Sequence, residues 1–200
     1  DTTGVVAPAA PAIDIDTING TGNLTIAGGN ADIDFLDDIT GLSSLTVVSS
    51  DTVLLDGALD IPGPVFLDAS NVVVGVDVTT NGVIGGTTAP ASVTVDGIAK
   101  LGANVTADGD IVFMNVVTLA DDSDRTITSN GGSVSFDADV ATAAGEANGL
   151  TVNALVGNID VQNLGTGAQP LGALDFNADS AEFNGTDIDS ASIDTTGVGL

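Results

Sequence analysis

The chain has no cysteine and no histidine, so disulfides and thiolate metal sites are excluded, and its redox compartment cannot be read from cysteine usage. It also lacks tryptophan and tyrosine and has six phenylalanines, which leaves little for an exposed aromatic platform that would stack on a sugar. Basic residues are nearly missing: Lys100 and Arg125 stand against 28 acidic residues, a formal net charge of −26. Such a surface repels nucleic acid and anionic lipid headgroups, so it excludes both as partners. Divalent cations, cationic surfaces and neutral glycans remain. No apolar run approaches the roughly 18 residues of a membrane-spanning helix, so direct membrane insertion is not expected. The chain opens at Asp1 with no basic segment leading into an apolar one, as expected of an interior or processed piece of a longer array. Asp1-Thr2-Thr3-Gly4-Val5 returns as Asp194-Thr195-Thr196-Gly197-Val198, as if a larger unit closed near there.

Catalysis has little to stand on. With two basic residues and no His, Cys or Tyr, the usual bases and electrophiles are missing. No pair among the 26 aspartates stands out as a glycosidase pair. The expectation is no enzyme and no catalytic residue.

What the chain does have is apolar content of 43%, a mean hydropathy of +0.40 and 26 glycines. The first two argue for order despite the charge, and the glycines argue for many turns. The apolar residues are mostly Val, Ile, Leu and Ala, which suit narrow coils whose equivalent positions stack. Short apolar anchors recur: Leu24-Thr25-Ile26, Leu45-Thr46-Val47, Val65-Phe66-Leu67, Val93-Thr94-Val95, Ile111-Val112-Phe113, Ile127-Thr128-Ser129, Leu150-Thr151-Val152, Leu174-Asp175-Phe176 and Ser192-Ile193-Asp194. Most lie 16 to 24 residues apart; the 28-residue gap from Val65 to Val93 holds Val72-Val73-Val74, an extra short coil or an outward loop. A period of this size marks a solenoid, in which each coil covers its neighbour's apolar face.

Period-two runs such as Asp32-Ile33-Asp34-Phe35 and Gly157-Asn158-Ile159-Asp160-Val161 put one face in the core and the other in water. Asn-Gly at Asn19, Asn81, Asn130, Asn148 and Asn184 supplies sharp corners, but it also favours hairpins. The reading is therefore an all-β, right-handed parallel β-solenoid of about eight to ten coils, with an antiparallel β-sandwich as the alternative. Phe35, Val47, Phe66, Val95, Phe113, Phe136, Val152, Ile159 and Phe176 are expected to face inward. Residues 1–12, with Pro8 and Pro11, read as a linker or the start of a coil, and 13–200 as the repeat region. Val140 to Ala147 has helical propensity but is too short and glycine-broken for more than a loop or one turn.

Calcium is the cofactor that the acidic turns could take, since it accepts closely spaced hard oxygens on a turn. Asp121, Asp122 and Asp124 form the densest group, and Asp108 with Asp110 comes second, because Gly109 between them lets both carboxylates converge. No EF-hand loop is present, and the plainer reading of each single cluster is a solvated turn. Arg125 is expected to neutralise its acidic neighbours. Asp34, Asp160, Asp175 and Asp194, on the outward face, are candidates for like-charge stacking between coils about 4.8 Å apart.

Gly132 to Val140, Gly149-Leu150-Thr151-Val152-Asn153-Ala154, Gly157 to Val161, Pro170-Leu171-Gly172-Ala173-Leu174-Asp175-Phe176 and Ser192 to Gly197 follow an order G-x-I-x-F, L-T-V-N-A, P-L-x-x-L. In this the chain resembles the repetitive passenger regions of filamentous-haemagglutinin-like bacterial adhesins. The resemblance covers most of 13–200 and rests on coil-forming positions. It implies a secreted, cell-surface, non-enzymatic structural segment of an adhesin or fibre. Its partners would be neighbouring repeats or copies of itself, and host, cell-surface or matrix components. A subunit that assembles itself into a filament or sheath is the alternative, and a glycan-binding module a more distant one.

Overall fold

The repeat positions stack directly on one another. A computed structural model describes residues 12–48, 50–69, 78–166, 168–185 and 188–194. Each coil gives one short strand or bridge to each of three faces. The first coil contributes β1 (Ile13–Ile15), β2 (Ile18–Asn19) and β3 (Asn23–Ala27). The second repeats them as β4 (Ile33–Phe35), β5 (Ile39–Thr40) and β6 (Ser44–Val48). The third has β7 (Val53–Leu55), β8 (Leu59–Asp60) and β9 (Val65–Asp68). In the fourth, β10 (Val78–Thr80) and β11 (Val93–Asp96) flank a single bridge at Ile84. The fifth holds β12 (Ala99–Leu101), β13 (Val105–Ala107) and β14 (Ile111–Phe113), and the sixth β15 (Val117–Leu119), β16 (Arg125–Ser129) and β17 (Val134–Phe136). Above them β18 (Val140–Thr142) leads into β19 (Leu150–Val161), which turns a corner and serves two faces. A bridge at Leu164 and β20 (Leu171–Phe183) repeat that arrangement, and a bridge at Ile188 and β21 (Ser190–Asp194) begin the next coil.

Every ladder between these strands is parallel, which makes the fold a β-solenoid of about eight turns. The steps run from 18 residues, Ala99 to Val117, to 28, Val65 to Val93. The sandwich alternative fails at its most testable point: Leu45 of β6 pairs with Val65 of β9, one coil on, and not with the adjacent β7. An antiparallel contact occurs at the isolated bridge Thr166–Gln169. Among the described residues there is no helix, and Val140 to Ala147 forms β18 and a turn at Ala144-Gly145. Residues 1–11, Val72-Val73-Val74 and the terminal echo from Thr195 onward lie outside the described residues.

The core is a set of continuous columns. Ile26, Val47, Leu67, Val95, Phe113, Phe136, Val161 and Phe183 follow one another up one face in strict register. The Phe113 and Phe136 rings stack at 5.3 Å and 8°, and Phe176 meets Phe183 edge-on at 5.5 Å. Of the residues expected inside, Phe35, Val47, Val95, Phe113, Phe136, Val152, Ile159 and Phe176 are buried. Phe66 is the correction. Val65 and Leu67 both face the core, so strict alternation turns Phe66 outward, into a column between Thr46 and Thr94.

One core position is polar without return. Thr80 faces inward between Leu55 and Leu101, and its hydroxyl has no hydrogen-bond partner among the described residues. A buried hydroxyl left unpaired costs about 1–3 kcal/mol. Thr80→Val keeps the shape and removes that cost, so it should raise stability by about 1 kcal/mol, or roughly 2–4 °C in a thermal melt. A lower melting temperature would mean that the hydroxyl is satisfied.

Candidate functional site: acidic corners and a polar groove

The corners are where the acidic residues act. A carboxylate on one coil accepts from a donor on the next, again and again: Asp32 from the Thr52 hydroxyl, Asp38 from the Ala58 N–H, Asp60 from the Thr87 N–H. A second version pairs an aspartate with an asparagine one coil on: Asp56–Asn81, Asp96–Asn115, Asp108–Asn130, Asp139–Asn163 and Asp160–Asn184, at 2.7–3.0 Å. These bonds are charge-assisted, and they satisfy N–H groups and side-chain amides that the strand ladders leave out. The device therefore fixes the corner of each coil to the corner above.

Of the residues expected to hold calcium, three follow the same rule singly. Asp108 accepts from Asn130, Asp110 from the Ser133 N–H at 2.8 Å, and Asp124 from the Gly149 N–H at 2.6 Å. Asp121 and Asp122 sit in the left-handed region, φ 70° and 47°, and Asp121 lies 4.0 Å from Lys100 Nζ. Among the described residues no three acidic side chains converge as a metal ion would need.

Arg125 departs from expectation. Its side chain is 5% exposed and turned inward, below Leu150 in the core column. The guanidinium donates to the carbonyls of Leu101 at 3.0 Å, of Asp124 at 3.2 Å and of Ala120, not to a carboxylate. The strands of this face lengthen here, from two residues in β8 to five in β16. The planar five-donor group gathers carbonyls from the end of β12 and from the loop between β15 and β16. Neutralising Asp121 and Asp122 is not its role.

Like-charge stacking occurs as expected, and in more places. Asp14 lies in register with Asp34, Asp68 with Asp96, Asp160 with Glu182, and Asp175 with Asp194. Burial above all, then Asp14, Asp32 and Asp56, pushes the Asp34 carboxyl above its ordinary range. Asp37 moves the other way, held low by the Thr17 hydroxyl and then the Asp38 N–H.

A groove of about 270 Å³ opens on the outer face of β17, β19 and β20. Ser133, Ser135, Asn158, Asp160, Ser180 and Glu182 supply its polar lining. The sequence gives little sign of it, since its residues come from three coils and meet only through the register Ser135–Asp160–Glu182. Beside Asn158 the register slips between Ala154 and Asn158, and Leu155 and Val156 project 56% and 62% exposed. Among the described residues no helix is long and apolar enough to cross a membrane, which leaves β-barrels untouched. Compared with family models, curated proteins and solved structures, the chain matches none.

Proposed function

We propose that this chain is a non-enzymatic structural segment of an extracellular bacterial adhesin or surface fibre, displayed at the cell surface. The observation that carries the reading is the parallel stacking of coil on coil, locked at its corners by the repeated Asp-to-next-coil bonds. Such a ladder makes a stiff spacer whose length grows by about 4.8 Å per coil. The segments that resemble haemagglutinin-like adhesins are the ones that build β17, β19 and β20. Of the two basic residues, Arg125 is occupied with backbone carbonyls, which supports a role without catalysis. The partners in this reading are neighbouring repeats and host or matrix components.

The second reading, a self-assembling filament or sheath subunit, draws on one feature. Among the described residues β21 has β20 as its one strand neighbour, and Ile193 on it is 46% exposed. Wherever such a strand is the last of the stack, its edge templates pairing with another copy. Negative-stain electron microscopy of the purified chain separates the two. Isolated rods of about 40 Å are expected for a spacer. Fibres that lengthen with concentration would overturn that reading in favour of assembly.

A further inference from the structure

We propose that the groove on coils six to eight binds a lysine side chain of an extended segment of another protein. In this groove a cavity, a stacked carboxylate pair and neutral acceptors coincide. Asp160 and Glu182 are in register on adjacent coils, so their charges repel across one strand spacing. Asp160 has one oxygen engaged by Asn184, while Glu182 makes no hydrogen bond or ion pair with any described residue. Ser133, Ser135 and Ser180 bring hydroxyl oxygens to the same lining.

A primary ammonium matches this set. It has three donors and no acceptor, and a position between the two carboxylates turns their repulsion into attraction. The volume points to one side chain: about 270 Å³ is below the range of pockets that enclose a drug-sized ligand. An apolar approach is in place as well. The outward column continues downward from Glu182 and Asp160 through Ser135 to Val112, then Thr94 and Phe66. A segment running along the rod would rest on Val112 and Phe66 and send a lysine up to the carboxylates. A second copy of this chain does not fit. Its one lysine, Lys100, lies against Asp121, and copies carrying −26 each repel. The inference holds wherever the rod is displayed, and its test is independent of rod or fibre formation.

The probe is a short, end-blocked peptide carrying a single lysine among valine and glycine, titrated into the isotope-labelled full chain and followed by amide shifts. A single charge is needed because any polycation would cling to this surface unspecifically. Saturable shifts are expected at Ser133, Ser135, Asn158 and Ser180. Glu182→Gln, at an exposed site with no partner among the described residues, should weaken binding about fivefold or more, as loss of a charge-assisted contact requires. The double variant Asp16→Asn, Asp122→Asn removes twice the charge elsewhere and should change binding less than about twofold, being screened. Acetylating the lysine should abolish the shifts. Equal weakening by the control variant, unchanged binding of the acetylated peptide, or the same amides answering a neutral hexose oligomer in place of the peptide would each overturn the assignment.

Discussion

Gly63→Ala should cost more than about 4 kcal/mol, in the range reserved for severe steric damage, and should leave the chain largely unfolded in mild urea. A methyl group at Gly63 would stand 1.4 Å from the Ser43 carbonyl oxygen of the coil below. That atom cannot give way. Ser43 donates its own N–H to the Gly22 carbonyl, and β6 immediately above it in sequence is paired on both edges. The coils would have to part at this corner, and parting them breaks the ladder on either side. Gly86→Ala is the matched control. There the nearest atom, Val83 Cγ1, is 3.4 Å away, an ordinary contact, so the change should stay within about 0.5 kcal/mol. Urea melts of the two variants against the parent decide it. Similar midpoints for both would mean that corner backbones approach less closely than the stacked register implies.

The contrast shows which parts of this fold could be read from the chain. Coil architecture was legible because a solenoid writes its period into the sequence. Leu45, Val65 and Val93 recur because each must lie on the last, and the structure pairs them in that order. Phe66 was misplaced because it is the bulkiest residue of its triplet, yet Val65 and Leu67 together outweigh it in setting which face turns inward. The role of the aspartates was half legible. The clusters at Asp121, Asp122 and Asp124 are visible in the sequence directly, whereas the corner bonds are written as a distance: an asparagine 19 to 25 residues after an aspartate, as in Asp96–Asn115 and Asp56–Asn81. That spacing is one coil, so it could have been found once the period was known. Arg125 could not. Nothing local distinguishes a basic residue that neutralises carboxylates from one that turns inward to gather carbonyls, because the choice depends on the Leu101 carbonyl that the neighbouring coil brings to it. The groove was equally hidden, being assembled from three separate strands by register alone.

Salt should stabilise this chain by several degrees in melting temperature, and calcium, magnesium and sodium chlorides at matched ionic strength should do so equally. The expectation rests on what the carboxylates already do. Asp108, Asp110 and Asp124 each accept a bond from the coil above, and drawing them together on an ion would break those corner bonds. The stacked pairs Asp14–Asp34, Asp68–Asp96, Asp160–Glu182 and Asp175–Asp194 remain, and they gain from screening alone. Screening reaches about 30 Å at 0.01 M salt and about 10 Å at 0.1 M, so most of the gain should fall in that interval. A bound calcium would behave differently. At a hundredfold excess over its Kd it would add about 2.7 kcal/mol, and magnesium, which holds its waters, would add much less. A calcium-specific rise would therefore restore Asp121, Asp122 and Asp124, or Asp108 and Asp110, as ligands. The pH dependence supplies a second readout. With its pKa raised above 3.8, ionised Asp34 weighs against the folded state at neutral pH, and that burden lifts as pH falls through the raised value. Asp37, with its pKa lowered, stabilises above 3.8 and loses that contribution as pH falls through its folded value. Asp34→Asn should accordingly shrink the salt response at pH 7 and leave it unchanged once the carboxyl is protonated in the parent. A salt response that ignores this substitution would place the screened repulsion on the other three pairs.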